Sequence, residues 1–141
     1  MNLSELECRS AFPEARVARL ATADAEGAPH LVPITFAVEG DRIYFAVDGK
    51  PKSSARLRRL RNIERNPQVS LLVDEYDEDW QRLWWVRADG SARILTSALE
   101  APRGLLRARY PQYADVAMDG PVVEITVSRW SGWRYGWGFV R

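Results

Sequence analysis

Residues 30–47, HLVPITFAVEGDRIYFAV, decide the fold. β-Branched and aromatic residues fill both halves, and Glu39-Gly40-Asp41 between them is a hairpin turn. The stretch predicts two antiparallel strands, His30–Val38 and Arg42–Val47. Pro33 breaks into the first of them. A proline removes a donor from the ladder, which favours an edge or a bulge.

Working outward, Arg16–Ala23 alternates as a strand, and Asp24–Pro29 supplies a glycine-containing turn into His30. Before it, Ser4–Phe12 is a short amphipathic helix ended by Pro13, with Leu3, Leu6 and Ala11 toward the core. Downstream, Gln68–Asp74 is a near-continuous apolar run and predicts a strand buried on both faces. Leu83–Leu95 is strand-rich around Asp89-Gly90, by itself a tight-hairpin signal. Ser97–Tyr110 has a helical pattern beginning near Ala101, with Pro102 in the first turn. Pro111–Met118 adds a helical turn or two, and Pro121–Trp130 alternates as a sixth strand. Three short helices cannot cover this much sheet. Closing it into a six-stranded antiparallel barrel removes the edges, and side chains fill the interior of so small a barrel. Ligands are left to the outside or to a subunit interface.

Between the third and fourth strands lies Lys50–Arg65, KPKSSARLRRLRNIER, with seven basic residues and one acidic one, in a chain whose net charge is only +1. At about 100° per residue, Leu57, Leu60 and Ile63 form one apolar stripe. Lys52, Arg56 and Arg59 flank it on one side, Arg58, Arg61 and Arg65 on the other. Lys50 and Lys52 bracket Pro51 at the helix entrance, and Ser53 or Ser54 can cap the first turn. Free N–H groups, hydroxyls and ammonium groups meeting there outline an anion site. The competing reading is a solvated basic face. The acidic residues of Asp74–Asp79 read as a solvated loop.

The 141 residues, 46% of them hydrophobic, are one domain's worth, and the expectation is a single domain spanning 1–141. No apolar run is long enough to cross a bilayer. No charged start followed by an apolar segment suggests export, and the single cysteine, Cys8, excludes an internal disulfide framework. These features point to the cytoplasm. Near-neutral charge argues against a general nucleic-acid binder. With one histidine, His30, and one cysteine, the His/Cys metal clusters have no ligands. There is no G-x-S-x-G elbow. The C-terminal glycines are followed by no helix pattern, so they are no dinucleotide fingerprint.

Six tryptophans fall in two groups: Trp80, Trp84 and Trp85, then Trp130, Trp133 and Trp137. At strand spacing Trp133, Tyr135, Trp137 and Phe139 share a face. Such a face suits a dimer core or barrel lid, or a wall for a planar heterocycle. Both hold if the ligand lies between subunits.

The order HLVPITF, IYFAV, KPKSSARLRRLRNIERNP, VSLLVD and WWVRADGSARI resembles the split β-barrel oxidoreductases related to pyridoxamine phosphate oxidase. The resemblance runs from about Arg16 to Trp133. Within that family, the lysine-rich Asp48–Lys52, DEYDEDW and WWVRADG are most similar to a branch using coenzyme F420. The resemblance implies a mainly β, six-stranded split barrel acting as a homodimer. It implies hydride transfer between a deazaflavin and a small organic substrate, with FMN as the alternative cofactor. A non-enzymatic flavin or tetrapyrrole binder is the third possibility. No nucleic-acid or membrane partner is implied.

By the same resemblance, Lys50, Lys52, Ser53 and Arg59 hold the cofactor phosphate, joined by Arg56 through helix phase. Val32, Pro33, Ile34 and Thr35 pass beside the ring. Trp80, Trp85, Arg87 and Trp133 come from the partner subunit. Catalytic side chains are not identified; a proton donor, where one is needed, is His30, Tyr135 or solvent. Relatives also run one bulged strand through the glycine of Asp89-Gly90, and that reading replaces the hairpin.

Overall fold

The computed structural model describes residues 1–47 and 57–136. Helix α1 (Glu5–Ala11) is followed by strands β1 (Ala18–Ala23), β2 (Pro29–Ile34), β3 (Ala37–Glu39) and β4 (Arg42–Ala46). Helix α2 (Arg58–Arg65), strands β5 (Gln68–Glu75) and β6 (Trp84–Leu95), helix α3 (Glu100–Arg109) and strand β7 (Val122–Arg134) complete the described chain. Seven strands pair antiparallel in the order β2-β1-β5-β6-β7-β4-β3.

The seventh strand arises because the segment expected as His30–Val38 splits. Phe36 is fully buried, and its backbone N–H donates to the Tyr110 hydroxyl at 3.1 Å instead of to a neighbouring strand. β2 and β3 therefore sit at opposite ends of the sheet order, although only Thr35 and Phe36 separate them. So short a link spans about 10 Å, and the sheet must curl round to bring its two ends together. Pro33, on the terminal strand β2, pairs with Arg19, an edge position that tolerates a missing donor.

Inside the curl lie Phe12, Leu20, Phe36, Ile43, Phe45, Leu71, Val73, Val86, Val123 and Ile125, all but inaccessible. Each such side chain stabilises the fold by about 1.5–3 kcal/mol relative to exposure. A second cluster, Ala37, Leu106, Tyr110 and Met118, packs α3 against β3 and β4. Ser4 and Glu7 form a reciprocal capping box at α1. Cys8 and Ala11 face the core from that helix, whereas Leu6, expected inward, is exposed.

Three expectations are corrected or sharpened by packing. Among the described residues helix α2 begins at Arg58 with Leu57 at its N-cap, so Leu57 falls outside the buried stripe and is exposed; Ser53 and Ser54, the expected caps, lie outside the described residues. Asn62 joins Leu60 and Ile63 on the buried side, its Nδ2 donating to Thr22 Oγ1 at 3.0 Å. Strand β5 is buried on one face only: Val69, Leu71 and Val73 point inward, and Leu72 is exposed. Asp89-Gly90 lies within the continuous strand β6, and the register against β7 shifts there, the bulged form expected from the family. A Cβ at Gly90 would run into the Thr126 carbonyl. Among the described residues no helix is long and apolar enough to cross a membrane.

Candidate functional site

The corner where the barrel closes carries a cleft of about 680 Å³. Pro33, Ile34 and Thr35 at the end of β2 form one wall, Arg59 of α2 another, and Tyr110, Gln112, Tyr113 and Val116 a third. Val47 and Leu57 also line it. These two residues are the described neighbours of residues 48–56.

Tyr110 organises this corner. Its hydroxyl receives the N–H of Phe36 and, at 3.0 Å, Nε of Arg109. Its single O–H faces two carbonyls, those of Arg16 and Phe36, each at 3.0 Å. The Arg16 and Arg109 guanidinium groups lie 5.0 and 5.4 Å from the same ring, and Arg109 also hydrogen-bonds the Ala15 carbonyl. Such contacts add cation–π attraction to the hydrogen bonds. Tyr113 meets Tyr110 edge-on at 6.1 Å, and its hydroxyl is 2.9 Å from Thr35 Oγ1. Two hydroxyls sharing one bond retain one O–H donor and free lone pairs between them. The cleft thus combines apolar walls, a hydroxyl pair and a cation, the mixture expected of a small-molecule site.

A second depression, of about 560 Å³, lies on the outer face of the sheet. Cross-strand pairing lays it out in rows: Arg19, Leu72, Arg87 and Ser131 in one, Asp74, Trp85 and Trp133 in the next. Leu31, Leu72 and Tyr76 are exposed there. The Arg87 guanidinium stands 6.0 Å from the Trp85 ring. Among the described residues none lines both depressions.

Residues 5–134 match the family described as pyridoxamine 5'-phosphate oxidase. The chain belongs to that family. Within the wider set of similar proteins, it is 37% identical over 57 residues to a 5a,11a-dehydrotetracycline/5a,11a-dehydrooxytetracycline reductase of Streptomyces rimosus. That match covers 40% of this chain and spans 39% of the reductase's length. Among solved structures, an FAD-binding protein from Mesorhizobium loti is 25% identical with a TM-score of 0.74, over 94% of this chain and 93% of that one. A conserved hypothetical protein from Mycobacterium tuberculosis is 26% identical with a TM-score of 0.76, over 94% and 85% of the two chains.

Of the residues expected at the site of this pyridoxamine 5'-phosphate oxidase family member, Pro33, Ile34, Thr35 and Arg59 come together in the cleft. Val32 is not among the cleft's lining; it packs against the barrel core. Lys50, Lys52, Ser53 and Arg56 lie outside the described residues, as do Trp137 and Phe139. Trp85, Arg87 and Trp133 come together in the outer groove, away from the cleft of their own chain. Trp80 is exposed on a short 3₁₀ turn and lines neither depression, its indole N–H 3.5 Å from the Tyr76 hydroxyl. His30 and Tyr135 line neither as well.

Sequence reading missed Arg16, Tyr110 and Tyr113. Their signal was the Tyr-Pro-Gln-Tyr run at 110–113, which reads as a helix end until the fold brings it against Thr35.

Proposed function

We propose that this chain is an oxidoreductase that transfers a hydride between coenzyme F420 and a small organic substrate. The observation that carries the proposal is the cleft where Arg59, the Thr35–Tyr113 hydroxyl pair, and Val47 and Leu57 come together. This donor set fits a ligand with an anionic end and a polar-edged ring. When bound, the cofactor supplies the hydride-carrying ring.

The protein's own residues hold and orient. Arg59, with Lys50, Lys52, Ser53 and Arg56, binds the phosphate through charge-assisted contacts. Thr35 and Tyr113 offer a donor and an acceptor to the ring edge. Pro33, Ile34 and Val116 exclude water from that side. Trp85, Arg87 and Trp133 lie away from the cleft of their own chain and serve that of a second copy. The protein is therefore proposed to be a cytoplasmic homodimer of single-domain subunits, with Trp80 also near the interface and substrate bound between subunits. Exposed Leu31, Leu72 and Tyr76 beside these aromatics support that arrangement.

A second reading, FMN or FAD in place of F420, is favoured by the FAD-binding description of the relative from Mesorhizobium loti. Absorbance and fluorescence titration separate the two. Tight binding of added coenzyme F420 by colourless protein, with acceptor-dependent oxidation of its reduced form, is the expected result. Yellow protein with flavin absorbance as purified selects the second reading, and binding of neither cofactor rejects both.

A further inference from the structure

Four outward side chains on β5, β6 and β7, of which Ser70 and Arg87 line the groove, form a connected polar chain. Ser70 Oγ donates to Asp89 Oδ1 at 2.5 Å, and Arg87 Nε donates to Asp89 Oδ2 at 3.3 Å. Arg87 Nη2 donates to Ser131 Oγ at 3.3 Å. Both carboxylate oxygens of Asp89 are thereby engaged. Among the described residues, Arg87 Nη1 has no protein acceptor.

The backbone beneath this chain is itself fixed. Asp89 borders the bulge in β6, and Ser128 Oγ donates to its carbonyl at 3.1 Å. Gly90 beside it admits no side chain, because the Thr126 carbonyl fills that space. Bulges of this kind re-aim a neighbouring side chain next to functional sites. A half-exposed pair two residues apart on a strand adds little stability by itself. Holding one face of a guanidinium with a carboxylate and a hydroxyl has a different consequence: it orients the remaining N–H groups. Around them stand Trp85, Trp133 and Leu72, a surface suited to a flat ring. Arg19, Asp74 and Glu75 also line the groove; with Asp89 they leave no net excess of positive charge, which suits a single oxygen better than a polyanion.

We propose that Asp89 is a positioning residue, which with Ser70 and Ser131 sets Arg87 to hydrogen-bond an enolate oxygen of a planar ligand stacked on Trp85 and Trp133. The inference deepens the oxidoreductase reading and rests on its assignment of this face to the substrate. The probe is 2-hydroxy-1,4-naphthoquinone, compared with 1,4-naphthoquinone by calorimetry on the full chain without cofactor. The hydroxy compound binds about tenfold more tightly, the worth of one charge-assisted hydrogen bond. Arg87→Ala and Arg87→Lys abolish that preference, Asp89→Asn reduces it several-fold, and Asp89→Glu restores part of it. The ¹H–¹⁵N resonance of Arg87 Nε, sharp in the wild type, broadens in Asp89→Asn, whose melting temperature stays unchanged. Equal affinity for the two quinones, or a preference kept in full by Asp89→Asn, overturns the proposal. Loss of F420 and flavin binding with the preference intact rejects the cofactor assignment and leaves the role of Asp89 standing.

Discussion

The closing corner and the outer groove are built in opposite ways. The corner collects Pro33, Thr35, Arg59, Tyr110 and Tyr113 from segments far apart in the chain, and hydrogen bonds to the Tyr110 hydroxyl fix its geometry. The groove is regular sheet, and its residues follow from strand register: Leu72 beside Arg87, Trp85 beside Trp133. A surface made of register is flat, fit to meet another flat surface, and here sets aromatic and apolar side chains beside charged ones. A corner made of chain reversals is concave and presents polar groups at its rim. The difference teaches that one small barrel offers two unlike surfaces, a concave corner fixed by hydrogen bonds between distant segments and an outer groove laid out by strand register.

The strongest way to break this division is Leu72→Asp. A carboxylate on the outer face should raise the homodimer dissociation constant about a hundredfold, since mismatched charge at an interface costs several kcal/mol. Sedimentation checks it, and an unchanged dimer would remove the groove from the interface. Arg59→Ala tests the corner. Affinity for F420 should fall about tenfold, from loss of one charged hydrogen-bonding group. Lys52→Ala should act in the same direction in the same fluorescence titration.

Tyr113→Phe sharpens the comparison further. Its ring can still pack edge-on against Tyr110, but the bond to Thr35 is lost, so ligand affinity should drop several-fold with the dimer intact, about 1 kcal/mol for one neutral hydrogen bond. Glu124 belongs to neither surface and serves as the control. Burial works against its charge, but hydrogen bonds from Arg93 and Tyr44, with Arg42 nearby, hold its carboxyl below the usual glutamate range. A depressed folded-state value means its stabilisation is complete above the ordinary carboxylate range and is lost as pH falls through it. Glu124→Gln should flatten the acid limb of the stability curve in denaturant titrations, and leave ligand affinity and dimerisation unchanged at neutral pH.

The fold was legible where local pattern and burial agree. Alternation located β1 and β7, strand-rich composition located β4 and β6, and the apolar phase of the basic segment put Leu60 and Ile63 inward. Reading Gln68–Asp74 as buried on both faces failed at Leu72, because hydrophobicity alone does not distinguish a doubly covered strand from one with an apolar outer face. The tryptophans show the same limit. Trp84 and Trp85 are adjacent, so the pleat sends one toward the core and the other into the groove. Trp130 packs edge-on against Phe12 at 5.4 Å while Trp133 lies outside. Of the candidate site, Pro33, Ile34, Thr35 and Arg59 were legible as neighbours through the family resemblance. Tyr110 and Tyr113 were not, since their partners Phe36 and Thr35 are distant in sequence.

By itself, then, the sequence determined the strand periods and the basic segment after the third expected strand, which express short-range sterics and charge. Only the tertiary structure decided that Thr35–Phe36 turns one expected strand into the two ends of a closed sheet, and that Tyr110 secures that turn. It also decided which tryptophans face outward. These outcomes depend on contacts between residues distant in sequence, whose balance of burial and hydrogen bonding no local pattern encodes.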